Sequence, residues 1–526
     1  MTNVKKNKVL LIIPYLEKAP GVRHLANYLS KNGFPTTIIF VKELQALYSS
    51  KPITKEELML LKQLIEQEDY LFVGLSLHTS LIINEIKPLI DFLHNDINKT
   101  FVSGGFWASS SPKECAEYCD IVIRGEGEKV ILKLARALQN NEYWGNIPNL
   151  SYYNKKNEYI ENELEPLTEN LDIVAYPKIG GDMYLIDNNQ IIKGDPQLSI
   201  AFYETSASRG CPFSCSFCCS SNMRKIYKGK GEYLRFRSVT NVISELLEAK
   251  KKNPHIKIIR FWDEVFSNDK KWISEFCKAY KREIGIPFHI WGHPAMVKKD
   301  IIGMLKSAGL RRIVVGFQSG SPNVRNKIFN RPETNEQIIE ASKIIAYHKI
   351  PEVYYDLMIC HPLETLEELK ETFDLCLKLE PPFVYELHQL AIQPGAEIAK
   401  NILAKGIYSE EDLGKIFCAS FEEQNSKFLE PVNSSYVQQP EKKVWADLIY
   451  LTQFHQIRNQ VIKLAKDPYK NEEKINILKE QIQAENMKSH DKYSFVSEMT
   501  ISFDSNSNGK VCNFLRKYWT RFFRGK

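Results

Sequence analysis

The chain of 526 residues contains no run of 18 or more apolar residues, so it offers no segment that reads as a membrane span. Its opening, MTNVKKNKVLLIIPYLEKAPG, superficially resembles a leader peptide. The apolar run there is only about six residues, and Pro14 and Glu17 follow closely, so a buried first strand and a cytoplasmic protein are expected. An excess of one charge is also missing. Against 64 Asp and Glu stand 70 Lys and Arg, and a formal charge of +6 over this length does not mark a nucleic-acid partner. No G-x-G-x-x-G follows the first apolar run, which argues against a nicotinamide cofactor. With 43% hydrophobic and 25% charged residues, the chain is neither disordered nor collagen-like, and its length suits about three to four domains. In a cytoplasmic setting its 11 cysteines argue against structural disulfides and direct attention to any clustered set.

What the chain does have is regular alternation. KVLLII (8–13), TTIIFV (36–41), YLFVGLSL (70–77), TFVSGG (100–105) and DIVIRGEGE (120–128) are short, β-branched and bounded by turn residues, as buried strands are. Helical patterns lie at 22–31, 55–68, 81–94, 111–117 and 127–139. In 81–94, Leu81, Ile82, Ile86, Leu89, Ile90 and Leu93 share one face. The alternation predicts an α/β fold with a doubly wound, Rossmann-like parallel sheet over 1–140. Such sheets bind ligands beyond the carboxyl ends of their strands, which places 14–23, 76–80, 104–109 and 125–128 on one edge. Gly104 and Gly105 would let a flat or bulky ligand approach the backbone; the other reading of each loop is a tight turn. Residues 141–195, with frequent Asn, Asp, Pro and Gly, read as a connecting region with a small hairpin around 149–160.

The segment SASRGCPFSCSFCCSS sets Cys211, Cys215 and Cys218 at C-x3-C-x2-C, with Cys219 adjacent. A turn this short has no core in which to hide three thiols, and thiolates suit iron–sulfur clusters or zinc. Closed zinc needs a fourth ligand, and Cys219 is poorly placed because neighbouring side chains rarely converge on one metal. Three ligands on a four-iron cluster would leave one iron open to a small molecule.

This spacing, with Phe217 just before the third cysteine, resembles the signature of the radical S-adenosylmethionine (radical SAM) superfamily. The resemblance implies that Cys211, Cys215 and Cys218 hold a [4Fe-4S] cluster whose open iron chelates S-adenosylmethionine. One electron would then release a 5′-deoxyadenosyl radical, with Phe217 near the adenine. Downstream, strands at 199–205, 256–262, 287–291, 311–317, 353–359 and 383–392 alternate with helices at 270–284, 298–308, 334–348 and 365–379. They suggest a partial (β/α)6 barrel over 196–400, whose chemistry belongs at the carboxyl ends of the strands. RFWDEVF (260–266) is similar to the second-strand motif and makes Asp263 and Glu264 cofactor candidates. VVGFQSGS (314–321) is similar to the fourth, with Gln318 where relatives often carry Glu, and implies Gln318 and Ser319. LMICHPLETLEEL resembles the stretch after the fifth strand, with His361 where Gly is usual. AIQPGAEI resembles the adenine-side turn and implies Pro394 and Gly395. Each segment also has a plainer reading as a turn or a helix-start charge pair.

A doubly wound domain ahead of such a barrel resembles the cobalamin-dependent branch of the superfamily, over roughly residues 5–400. That implies a cobalamin cradle at Ser76, Gly104, Gly105, Gly125 and Glu126. The D-x-H-x-x-G motif that supplies a lower cobalt ligand in many cobalamin domains is missing, although His24 and His78 lie in or beside these loops. Cys115 and Cys119, one helical turn apart, do not make a second cluster.

Residues 401–526 read as a mostly helical region, with an amphipathic helix over 444–465 and polar residues over 484–509. The tail KVCNFLRKYWTRFFRGK forms a basic amphipathic pattern suited either to a membrane surface or to the protein's own core. The expected function is C-methylation of an unactivated carbon of a natural-product, peptide or lipid substrate by way of methylcobalamin. The alternative is a cobalamin-dependent cyclase or rearrangement enzyme, and a third reading is a non-catalytic iron–sulfur module. The expected partners are the small-molecule or peptide substrate and a reducing donor such as flavodoxin or ferredoxin.

Overall fold

The computed structural model of the chain describes residues 7–16, 18–43, 51–77, 83–393, 395–417 and 440–490. Strands β1 (Val9–Pro14), β2 (Thr36–Val41), β3 (Val73–Ser76), β4 (Phe101–Gly104) and β5 (Ile121–Ile123) run parallel, as the apolar runs predict. Each is buried on both faces. Leu10 and Ile12 pack with helices Lys55–Glu66 and Ile83–Asn95, while Val9, Leu11 and Ile13 pack with Pro20–Lys31 and Glu128–Asn140. Covering both faces explains why these strands are continuously apolar rather than alternating. Thr54 and Glu57 close a capping box at the start of Lys55–Glu66, which fixes where that helix begins.

Residues 141–195 are more than a connector. The hairpin near 149–160 is present as β6 (Leu150–Tyr153) and β7 (Tyr159–Glu161), and β8 (Met183–Asp187) and β9 (Gln190–Lys193) form a second hairpin. Both join the first sheet, giving nine strands in the order β7-β6-β5-β4-β3-β1-β2-β8-β9. The first hairpin extends the β5 edge and the second extends the β2 edge, so the sheet reaches well past residue 140. Arg23 and Asp195 pair inside the fold at 2.7 Å and tie the end of this segment to the first helix.

The chain then enters β10 (Phe202–Thr205), forms a two-strand ribbon from β11 (Ser208–Arg209) and β12 (Arg235–Phe236), and continues into β13 (Ile258–Phe261), β14 (Phe288–Gly292), β15 (Leu310–Gln318), β16 (Glu352–Met358) and β17 (Val384–His388). Six of these make an all-parallel sheet in sequential order, β10-β13-β14-β15-β16-β17, which is the partial barrel expected. Phe261, Phe288, Ile290, Ile313, Phe317 and Leu357 turn outward into the core formed with the helices. By the two-residue period of a strand, Arg260, His289, Trp291, Arg312 and Asp356 line the inner face.

The helix expected over 444–465 is divided into Pro440–Leu451, a 3-10 turn His455–Ile457 and Arg458–Leu464. Thr452 donates its hydroxyl to the Ile449 carbonyl at 2.7 Å, and Arg458 Nε bonds the Thr452 carbonyl at 2.8 Å, so the carbonyls at the break are satisfied without a continuous ladder. The first piece packs on the barrel, with Trp445 edge-on to Phe373 at 5.3 Å. Helix Glu472–His490 occupies the start of the polar segment; the rest of that segment and the basic tail lie outside the described residues. No described helix is long and apolar enough to cross a membrane.

Candidate active site at the cysteine loop

The cysteine loop leaves β11 through Gly210. Its φ is +90°, and a Cβ there would stand 2.2 Å from the Tyr233 carbonyl oxygen, so only glycine makes this exit. The loop is then fastened to the barrel. Ser216 donates its N–H to the Phe329 carbonyl at 3.0 Å and its hydroxyl to the Ile328 carbonyl at 2.6 Å. Asn330 Nδ2 holds the Ser214 carbonyl at 2.8 Å, and the Ile398 N–H holds that of Ser216 at 3.0 Å. Segments following β15 and β17 therefore set where the thiols stand.

Cys215 is buried, and Cys211 and Cys218 are half-buried. Burial pushes the Cys211 thiol up to about 12, helped by Glu264, Cys218 and Cys215. Burial likewise raises Cys215, and a hydrogen bond with Cys219, together with burial, raises Cys218. Three thiols that raise one another lose their protons most readily to a cationic metal centre, which fits the donor set of an iron–sulfur cluster. Among the described residues no three His, Cys, Asp or Glu side chains converge as on a single metal ion. A cluster does not ask for that convergence, because each cysteine would hold a different iron.

Behind the loop lies a buried polar chain that the sequence reading passed over. Arg331 directs Nη1 to the Cys215 sulfur at 3.7 Å, Nη2 to the Gly316 carbonyl at 2.6 Å and Nε to Glu333 at 2.6 Å. Burial would lift the Glu333 carboxyl, but His293 and Arg331 bring it down to about 2. His293 contacts Glu333 at 3.2 Å and stacks on Phe213 of the loop, with ring centroids 3.7 Å apart. The signals, N-R-P-E at 330–333 and W-G-H-P at 291–294, contain no spacing that points to the cysteines.

The barrel residues expected near a cofactor separate into two groups. Glu264 faces the thiols. Its carboxyl accepts from Ser220 at 3.5 Å and is raised by burial. Its neighbour Asp263 turns away, accepting the Ala207 N–H at 3.0 Å and the Ser208 hydroxyl, so its carboxyl, pushed up by burial to about 6, braces β10 and β11. Phe217 meets Phe329 edge-on at 5.0 Å and joins the apolar cluster containing Leu390, Ile392 and Ile398, which unites it with the turn expected on the adenine side. Gly395 lies in that turn, facing Asn222 and Ser110, whereas Pro394 lies outside the described residues. Gln318 stands at the carboxyl end of β15 with φ +65°, its Oε1 buried without a hydrogen-bond partner and its Nε2 3.5 Å from Asp356. Ser319 points away from it, to Thr372 at 3.2 Å. Asp356, absent from the sequence-derived set, also faces His388 at 3.3 Å.

On the first sheet, Ser76 and Gly104 lie side by side at the ends of β3 and β4, and Gly105 follows with φ +118°. Among the described residues, a Cβ on Gly104 would meet only Ile123 atoms, at 3.8–3.9 Å. Gly125 and Glu126 are used otherwise. Gly125, at φ +69°, lies so close to Tyr227 that a Cβ would fall 1.8 Å from its hydroxyl. The Glu126 N–H donates to that hydroxyl at 2.8 Å, and its carboxylate pairs with Arg235 at 2.8 Å and Arg209 at 3.2 Å. Glu128 takes the other arm of Arg209 at 2.5 Å. Burial opposes the Glu128 charge, but Arg209 outweighs it and holds the carboxyl at about 2. The R-G-E-G-E run thus docks the first sheet onto the strand leading to Cys211. His24 also turns to structure, holding the Ala175 carbonyl at 2.5 Å, and His78 lies outside the described residues.

Residues 205–376 match the family profile of the Radical SAM superfamily. The chain is 26% identical over 389 residues to an uncharacterized methyltransferase of Pyrococcus horikoshii, covering 72% of this chain and 79% of that one. It is 24% identical over 375 residues to an anaerobic magnesium-protoporphyrin IX monomethyl ester cyclase of Rubrivivax gelatinosus, covering 68% of this chain and 62% of that one. Among solved structures it resembles the radical S-adenosylmethionine methyltransferase TsrM of Kitasatospora setae, with a TM-score of 0.62, 16% identity and 76% of each chain covered. It also resembles the cobalamin-dependent radical enzyme OxsB, with a TM-score of 0.61, 17% identity, and 84% and 66% of the two chains covered.

Proposed function

From the match of residues 205–376 to the Radical SAM superfamily we propose that this chain is a cobalamin-dependent radical SAM enzyme, with C-methyl transfer to an unactivated carbon as its reaction. The observation that carries the proposal is the joint between the two sheets. Glu126 and Glu128 grip Arg209, two residues before Cys211, and Gly395 approaches Asn222 and Ser110. The sheet that carries the edge at Ser76, Gly104 and Gly105 is therefore joined by direct contacts to the segments around the thiol loop. TsrM and OxsB have been solved with cobalamin bound, which supports cobalamin as a cofactor of this chain.

The residues divide the work. Cys211, Cys215 and Cys218 would hold the cluster, and Arg331 would donate to the sulfur of Cys215. Glu264 is the carboxylate placed for an amino group near the cluster. Gln318 Oε1 and Asp356 are acceptors with capacity for the hydroxyls of a nucleoside. Phe217 and its apolar neighbours would receive a flat base. When bound, the cluster supplies the electron that opens S-adenosylmethionine, and cobalamin supplies the methyl group; the chain positions both and excludes water. Of the imidazoles described near the cradle, His24 is half-buried and uses Nδ1 to hold the Ala175 carbonyl at 2.5 Å.

The similarity to a cyclase makes ring formation the second reading. Protein prepared without oxygen, with iron and cobalamin supplied, is expected to carry about four irons and one cobalt per chain. A product heavier by one methyl group distinguishes transfer from cyclisation. Four irons without cobalt would remove cobalamin and methyl transfer from the proposal.

A further inference from the structure

The inner face of the barrel holds a feature that neither cofactor explains. Arg260 and His289 are register partners on β13 and β14, so the next inward positions, Trp262 and Trp291, stand side by side. The Trp262 N–H continues the ladder to the Thr205 carbonyl at 2.7 Å. Phe261 and Ile290, the residues between, pack outward among the helices, so the two indoles share the inner face. Their rings are stacked, with centroids 4.2 Å apart and planes 21° apart. Trp262 is nevertheless 49% exposed, so among the described residues much of its ring is uncovered.

The level of this pair in the barrel gives it a use. Two residues further along the chain, Glu264 faces the cysteine thiols and His293 stacks on Phe213 of the cysteine loop. Along β14, at about 3.3 Å per residue, Trp291 stands roughly 7 Å before His293, the residue that meets the cysteine loop. A stacked pair with much of one ring uncovered at that level is suited to a flat π-system, which gains ring contact as well as burial. A saturated ring or alkyl chain of equal size would gain burial alone.

We infer that Trp262 and Trp291 form the platform for the substrate, and that the substrate is a planar, conjugated ring system. The inference rests on the proposed reaction only in calling the occupant a substrate; the platform itself stands on register and stacking.

The test compares quinoline with 2-decalone, a saturated bicycle of equal ring size that is likewise uncharged at pH 7. Each is bound to the full chain, reconstituted with iron, sulfide, cobalamin and S-adenosylmethionine without oxygen. Quinoline is expected to bind about tenfold more tightly than 2-decalone, with the preference lost in Trp262→Ala and largely kept in Trp262→Phe. Equal affinities, no measurable quinoline binding, or a preference that survives in Trp262→Ala would overturn the platform. Should Trp262→Ala fail to fold, Trp291→Ala carries the same expectation. Iron and cobalt counted on the same samples separate the two claims. Full metal content without a quinoline preference sinks the platform alone. A preference that depends on Trp262 in protein holding neither iron nor cobalt sinks the cofactor proposal and leaves the platform.

Discussion

The two main sheets meet through loops at the carboxyl ends of their parallel strands, yet the loops are put to different ends. On the first sheet, Glu126 and Glu128 are fully engaged with Arg209 and Arg235, and Gly125 is pressed against Tyr227. On the second, Gln318 Oε1 is buried without a hydrogen-bond partner and Asp356 Oδ1 has the His388 ring at 3.3 Å. Buried polar groups are normally satisfied, so the unpaired acceptor at one edge and the paired carboxylates at the other separate a place for chemistry from a place for docking. The cysteines repeat the contrast. Cys119 hydrogen-bonds Ser103 at 3.0 Å and the Cys115 carbonyl at 3.2 Å inside a core, whereas Cys211 and Cys218 of the loop are only half-buried.

The sharpest way to break this comparison is to remove a loop thiol. Cys211→Ala, Cys215→Ala and Cys218→Ala are each expected to lose cluster iron and all cleavage of S-adenosylmethionine, while Cys219→Ala retains both. Iron content and release of 5′-deoxyadenosine check this, and full activity in any of the first three would sink the assignment. Breaking the dock comes next. Arg209→Ala strands Glu128 in a buried site and is expected to cost about 3 kcal/mol in denaturant unfolding. It should also loosen cobalamin retention; unchanged stability would mean that the joint does not depend on this pair.

A smaller effect is expected on the open side. Gln318→Ala should raise the KM for S-adenosylmethionine by about tenfold with iron content unchanged, because it deletes one acceptor and leaves the loop in place. An unaltered KM would take Gln318 out of the cofactor site. The smallest effect concerns Glu364, whose Oε1 is also buried without a partner. Burial pushes its carboxyl from 4.5 up to about 8, so the folded chain holds that proton more tightly than the unfolded chain does. Stability should therefore fall as pH rises from about 4.5 to 8. In Glu364→Gln this component is absent, so the two Tm curves should converge below pH 4.5 and separate above it, with wild type the lower.

Much of the fold is legible because its signals are local. β2 occupies Thr36–Val41, the apolar run itself, and the six barrel strands fall in the order their runs appear. The cysteine loop is legible because the three ligands come from one short turn. Harder to read is the fate of equivalent neighbours. Asp263 and Glu264 are adjacent carboxylates of the same chemistry, and only the partners Ala207 and Ser208 decide that one braces a strand while the other faces the thiols. The R-G-E-G-E loop reads as a ligand cradle because glycine and acid suit both a ligand and an interface; Tyr227, Arg209 and Arg235, some hundred residues away, make it an interface.

By itself, the sequence determined the alternation of strand and helix, the doubly wound and barrel sheets that follow from it, and the three thiols of the loop. Each depends on residues close together in the chain, where periodicity and side-chain type act directly. Only the tertiary structure decided that the hairpins of 150–193 extend opposite edges of the first sheet, that Arg331 reaches Cys215, and that Trp262 lies against Trp291. These depend on strand order and register, set by which distant surfaces bury each other rather than by any local pattern.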